Sequence, residues 1–175
     1  MPTDHPDIPL DASPGDRIAL AVGRFGETDV ADRAAALLDG KNEGEDFLLW
    51  VGGRHAQGIL DGAPALYWPE VWGARTLLYA WNDSVIPTVR AGLANQAWRV
   101  REMCCRVVAA RKLDLGDELA LLLGDETARV RANAARALGA VGDAGRAEAL
   151  RQLLKDPDID VRRQAGAALK LLAGS

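Results

Sequence analysis

Histidine and cysteine are almost missing from this chain: its 175 residues hold two of each. The histidines, His5 and His55, have no second histidine near either in sequence, which removes the usual basis for a zinc or histidine-bound iron centre. The cysteines, Cys104 and Cys105, are adjacent and fall on small-residue positions of a repeat set out below. They are expected to be buried, reduced thiols that pack like small hydrophobes. Aromatic residues are scarce too, 5% against 49% hydrophobic overall, the balance of helices packed through small side chains. No apolar run approaches the length of a membrane span. Met1 to Asp16 carries Pro2, Pro6, Pro9 and Pro14 but no basic n-region, so the expectation is no signal peptide, no membrane partner and a cytoplasmic location.

Charge of one sign is lacking where nucleic acid would need it. Residues 1–70 contain 5 Lys/Arg against 13 Asp/Glu, and residues 71–175 contain 16 against 12, so the halves carry −8 and +4. An excess of +4 over about a hundred residues falls short of the dense basic stripe that phosphate binding requires.

What the chain does have is a repeat. Val100-Arg101, Val130-Arg131 and Val161-Arg162 lie 30 and then 31 residues apart, and each is followed by a small pair: Cys104-Cys105, Ala134-Ala135 and Ala165-Gly166. A period in this range marks a solenoid, whose units bury their apolar stripes only by stacking on neighbours. In the clearest unit Val130, Ala134, Ala135, Ala137, Leu138 and Val141 keep helical spacing before Gly142-Asp143 ends the helix. A second run places Ala147, Leu150, Leu153 and Leu154 on one face. One unit is therefore a helix pair, with Asp125 and Asp156 expected as caps of successive first helices.

The frame extends backward with less fidelity through Gly73-Ala74 and then Ala34-Ala35, with an insertion expected around 55–69. Helices are predicted at about 29–39, 46–53 or longer, 70–81, 84–95, 98–111, 115–123, 127–141, 144–155 and 158–173. Ile18 to Val22 reads equally as a weak strand or a short helix. The expected architecture is an all-α solenoid of about four to five antiparallel helix pairs. Residues 1–16 are read as a disordered tail, 17–68 as a divergent N-terminal helical cap and 69–175 as repeats, with 17–175 one continuous domain.

Asp125 with Val130-Arg131, Ala134-Ala135 and Ala137-Leu138, and Asp156 with Val161-Arg162, Ala165-Gly166 and Ala168-Leu169, resemble the short HEAT-like repeat of phycobilisome lyases. The stretch Tyr67-Trp68-Pro69-Glu70-Val71-Trp72-Gly73 is similar to the front half of small bacterial HEAT-repeat proteins. The resemblance implies the fold strongly and an activity hardly at all, since one repeat serves lyases, hydroxylases, scaffolds and adaptors. The iron hydroxylases of this type depend on repeated His-Glu pairs, whereas here the dipeptides are His5-Pro6 and His55-Ala56.

Several constellations have a plainer alternative. The row Arg101, Arg131 and Arg162 could bind anions, but each arginine can instead bridge to a neighbouring unit's aspartate such as Asp125 or Asp156. Arg75, Arg106 and Arg136 read as solvated cover. Asp156, Asp158 and Asp160 begin a calcium-loop pattern that fails at Val161, where glycine belongs, and at Ala167, where glutamate belongs. Gly23-Arg24-Phe25-Gly26 and Gly52-Gly53 lack the strand, spacing and lysine of a phosphate loop.

No catalytic, metal or cofactor residue emerges, and the chain is not expected to be an enzyme. The five tryptophans, Trp50, Trp68, Trp72, Trp81 and Trp98, read mainly as core at the junction of cap and repeats. Trp68 and Trp72 are expected to be partly exposed as interface anchors beside Pro69. The resemblance places second helices on the concave side, where Arg90, Asp117, Glu118, Arg146, Arg151, Gln152 and Lys155 would offer mixed charge to a protein or peptide partner. The expected function is thus a non-catalytic protein-interaction or scaffold module. The alternative is a nucleic-acid binder resembling HEAT-like DNA alkylation-repair proteins, and self-association through the end near Leu171 and Leu172 is left open.

Overall fold

The computed structural model describes residues 7–174, which form helices and turns with no strand among them. The chain divides into two compact units, up to Thr88 and from Val89, and the division falls inside a helix.

The first unit contains α1 (Pro14–Phe25), α2 (Glu27–Leu38), α3 (Glu45–Leu60) and α4 (Trp68–Thr76). Pro14 sits in the first turn of α1 and the Ser13 side chain accepts from the Asp16 amide, so the segment around Ile18 starts as a capped helix and the strand reading falls. Of the expected tail, residues 1–6 lie outside the described residues, and residues 7–16 are ordered in the fold: Ile8 is buried and the Leu10 carbonyl accepts from the Arg54 amide at 3.2 Å.

That last bond exists because α3 breaks at Gly53, whose φ of 58° and ψ of −138° suit only a residue without a side chain. A break in a helix frees carbonyls that must be satisfied if buried. The Trp50 carbonyl accepts from Arg17 Nε at 3.1 Å, and the Val51 carbonyl from Arg75 Nη2 at 2.7 Å and Arg17 Nη2 at 3.5 Å. Arg17 Nη1 reaches the carbonyls of Ala12 and Leu10. Arg17 is buried, and its desolvation pulls the guanidinium's pKa down from its ordinary value. It acts as a bracket between α1, the N-terminal turn and the broken α3.

Helices α2 and α4 approach through the small residues that mark the faint repeat. Ala34 and Ala74 are fully buried, and a Cβ at Gly73 would lie 2.5 Å from the Ala34 carbonyl oxygen. Here the repeat's small pair sets the distance between helices.

A 3₁₀ turn, Asp83–Val85, leads into α5 (Ile86–Gly92), within which the second unit begins. It continues with α6 (Trp98–Arg111), α7 (Gly116–Leu122), α8 (Ala128–Val141), α9 (Ala147–Gln152, flanked by 3₁₀ turns) and α10 (Ile159–Ala173). These bounds follow the expected ones within a few residues. Val100, Val130 and Val161 are fully buried in the first helices, as are Val89, Leu119 and Leu150 in the second, so these two repeat positions keep one burial state along the array. Cys104 and Cys105 are buried in α6 with no disulfide. Burial pushes the Cys104 thiol up to about 12 and raises that of Cys105 as well, so neither is a nucleophile at neutral pH.

Candidate functional site

The arginine row resolves into a ladder that runs from unit to unit. Arg101 donates through Nε and Nη2 to the two carboxylate oxygens of Asp125 at 2.8 and 3.1 Å. Arg131 does the same to Asp156 at 2.9 and 3.0 Å. In both cases the remaining nitrogen, Nη1, binds carbonyls of the turn before its own helix, Asn95 and Gln96 or Asp125 and Glu126. The planar fork thus ties one unit's helix start to the aspartate of the next. Arg162 repeats the local half of the pattern, with Nη1 on the carbonyls of Asp156 and Pro157 at 2.7 and 3.0 Å.

Asp125 and Asp156 are not the helix caps expected of them. Each turns the chain by accepting the amide two residues on, that of Thr127 or Asp158, at 2.9 Å. Thr127 and Asp158 occupy the cap positions, and the Asp158 carboxylate accepts from the amides of Asp160 and Val161. Two residues before the cap, each aspartate crosses to the neighbouring unit's arginine. The Arg131 guanidinium holds the Asp156 carboxyl below its ordinary pKa, and Asp156 in return raises that of Arg131.

The residues expected at the interface fall on the second elements of the pairs and largely bridge from one to the next. Arg90 on α5 pairs with Glu118 on α7 at 2.9 Å. Asp117 on α7 pairs with Arg146 at the start of the α9 segment, and Arg146 Nε also meets Asp143 at 3.3 Å. Arg151 pairs with Glu148 within its own helix at 3.1 Å, while Gln152 and Lys155 are exposed. The charges therefore form a band across α5, α7 and α9.

One residue that sequence reasoning missed sits in this band. Leu121 is 80% exposed, and as the residue four after Asp117 and three after Glu118 it shares their face of α7. Its repeat equivalents, Ala91 and Gln152, are exposed too. The signal was available in the spacing, because Leu119 and Leu122 already fill the inward positions of a helix only seven residues long.

The tryptophan pair separates. Trp72 is 2% exposed and packs its ring so closely on Gly52 that a Cβ there would come within 2.5 Å of it. It is core, a correction to the expected exposure. Trp68 is half-buried, stacked on Trp72 with centroids 6.4 Å apart and against His55 at 4.9 Å, so of the two it alone keeps an accessible edge. Trp98 is half-buried beneath the guanidinium groups of Arg99 and Arg129, at 4.3 and 5.6 Å.

No curated protein matches the chain. Residues 86–170 match the family model for HEAT repeats, the stretch that holds the arginine ladder and the charged band. The matched stretch, just under half of the chain, is similar to HEAT repeats and lies in an all-α, solenoid fold.

Proposed function

We propose that the chain is a non-catalytic protein-interaction module whose contact surface is the band on α7 and α9. HEAT repeats generally mediate protein–protein interaction or scaffolding, which is the coarse expectation here. The single observation that carries the finer reading is Leu121, a large apolar side chain 80% exposed among paired charges. An apolar centre with a polar rim is the anatomy of a protein interface, and pre-paired rim charges enter it already ordered. Phosphate binding draws less support, since Arg90, Arg101, Arg131 and Arg146 all face carboxylates.

Leu121→Asp tests the surface. Because the side chain is exposed, the substitution changes stability by no more than about 0.5 kcal/mol. At the centre of an interface it weakens partner binding about tenfold or more. Parallel affinity purifications with the wild-type and L121D chains, compared by quantitative mass spectrometry, should show a partner captured only by the wild type. Equal capture of every enriched protein, or retardation of duplex DNA by micromolar protein at low salt, contradicts the reading.

A further inference from the structure

The side of α10 turned away from α8 meets no further helix among the described residues. Three repeat positions that are closed in the earlier units are open there. Leu93 and Leu123 are 3% and 8% exposed, but their equivalent Leu154 is 43% exposed. Val108 and Leu138 are fully buried whereas Leu169 is half-buried, and Cys105 and Ala135 are fully buried whereas Gly166 is half-buried. A Cβ at Gly166 would meet no neighbour nearer than Leu154, at 3.8 Å. In a solenoid these are the positions that stacking on a following unit covers.

The arginine row ends at the same place. In Arg101 and Arg131 the carbonyls on Nη1 hold the guanidinium while Nε and Nη2 grip the aspartate of the following unit. Arg162 keeps its carbonyl bonds, yet it forms no ion pair among the described residues. The molecule thus shows twice what occupies this position: a carboxylate on the turn before a helix, with that helix laid along the apolar seam.

Lys170 narrows the chemistry of the occupant. It stands 31 residues after Gly139, where α10 comes so close to α8 that a Cβ would lie 2.7 Å from the Ala168 Cα. An exposed lysine without an ion pair among the described residues calls for an acidic residue there in place of a small one. A second folded copy has no ladder aspartate to offer, because Asp125 and Asp156 are already held by Arg101 and Arg131.

We infer that this face docks an acidic amphipathic helix of a partner protein. One carboxylate is received by Nε and Nη2 of Arg162 and another by Lys170, and the apolar side of the helix covers Leu154, Gly166 and Leu169.

The test is an NMR titration of the ¹⁵N-labelled full chain with a capped peptide. The peptide has the sequence of residues 156–173, the segment that covers the equivalent face of α8, with Ala168→Glu to meet Lys170. Saturable shifts are expected at Leu154, Arg162, Gly166 and Leu169, with a Kd below about 1 mM. A second peptide that also carries Asp156→Asn should bind about tenfold more weakly. The Arg162→Met chain should bind the first peptide about tenfold more weakly and no longer distinguish the two. Gly166→Gln, for which the free chain has room, should abolish binding, whereas L121D should bind as the wild type does. Absence of saturable shifts, equal binding of the two peptides by the wild type, an unchanged preference in R162M, full binding by G166Q or loss of binding in L121D overturns the assignment. A dimer mass in light scattering, with the same amides shifting on dilution, gives the face to a second copy and overturns it as well.

Discussion

Arg131→Met is expected to destabilise the chain by about 3 kcal/mol, the order of cost for stranding a desolvated carboxylate. Asp156 has a side chain only 6% exposed, and both its oxygens are engaged by Arg131. For a chain of this size the loss corresponds to a fall in Tm of roughly 6–12 °C. Arg162 supplies an internal control, since it makes the same contacts to the preceding turn without a carboxylate across a unit boundary. Arg162→Met should cost about 1 kcal/mol or less. The double variant R131M/D156N, which removes the stranded charge and keeps the turn-forming acceptor, should recover most of the loss, because a buried pair deleted whole is often neutral.

The pH dependence follows in sign. The folded state holds the Asp156 carboxyl below its ordinary pKa, so its contribution is complete above the unfolded value of about 4 and fades as pH falls through the folded one. The stability difference between wild type and R131M should therefore narrow in acid, below about pH 4. Urea denaturation followed by circular dichroism between pH 3 and 7 measures both effects.

The second large effect is expected at the break in α3. Gly53→Ala should cost about 3 kcal/mol or more, because a Cβ would lie 2.6 Å from the Arg17 guanidinium carbon and 2.8 Å from the Leu10 carbonyl oxygen at an unfavourable positive φ. Arg17→Met leaves the Trp50 and Ala12 carbonyls without their donor and should cost roughly 3 kcal/mol, at about 1–3 kcal/mol for each buried orphan. Combining them should cost less than the sum, since part of the alanine's clash is with the arginine itself. Thermal denaturation of the two single variants and the double closes this cycle.

Sequence made the second unit legible and the first one only in part, for a physical reason. In the repeats the inward positions recur in one environment, so Val130, Ala134 and Leu150 could be assigned inward from period alone, and Arg101 and Arg131 could be paired with aspartates ahead of them. In the first unit the contacts that decide the structure are unique. Nothing in the spacing of Arg17 and Gly53 announces that one fills the gap the other opens, and the N-terminal turn is drawn in by the same break. Exposure was harder to infer than pairing. Trp72 looked like an anchor beside a proline but lies over Gly52, where the absent side chain makes room for its ring. Leu121 went unnoticed because a leucine in an amphipathic helix is assigned inward by default, and only the crowding of Leu119 and Leu122 forces it out.

The most direct test of the interaction surface is hydrogen exchange on the chain alone and in complex with the partner captured by the wild type. Binding across the band is expected to slow exchange in α7 and α9, residues 116–122 and 147–152, with the first helices α6 and α8 unchanged. Protection confined to the first helices or to the unit before Thr88, with α7 and α9 exchanging as in the free chain, would contradict the proposal.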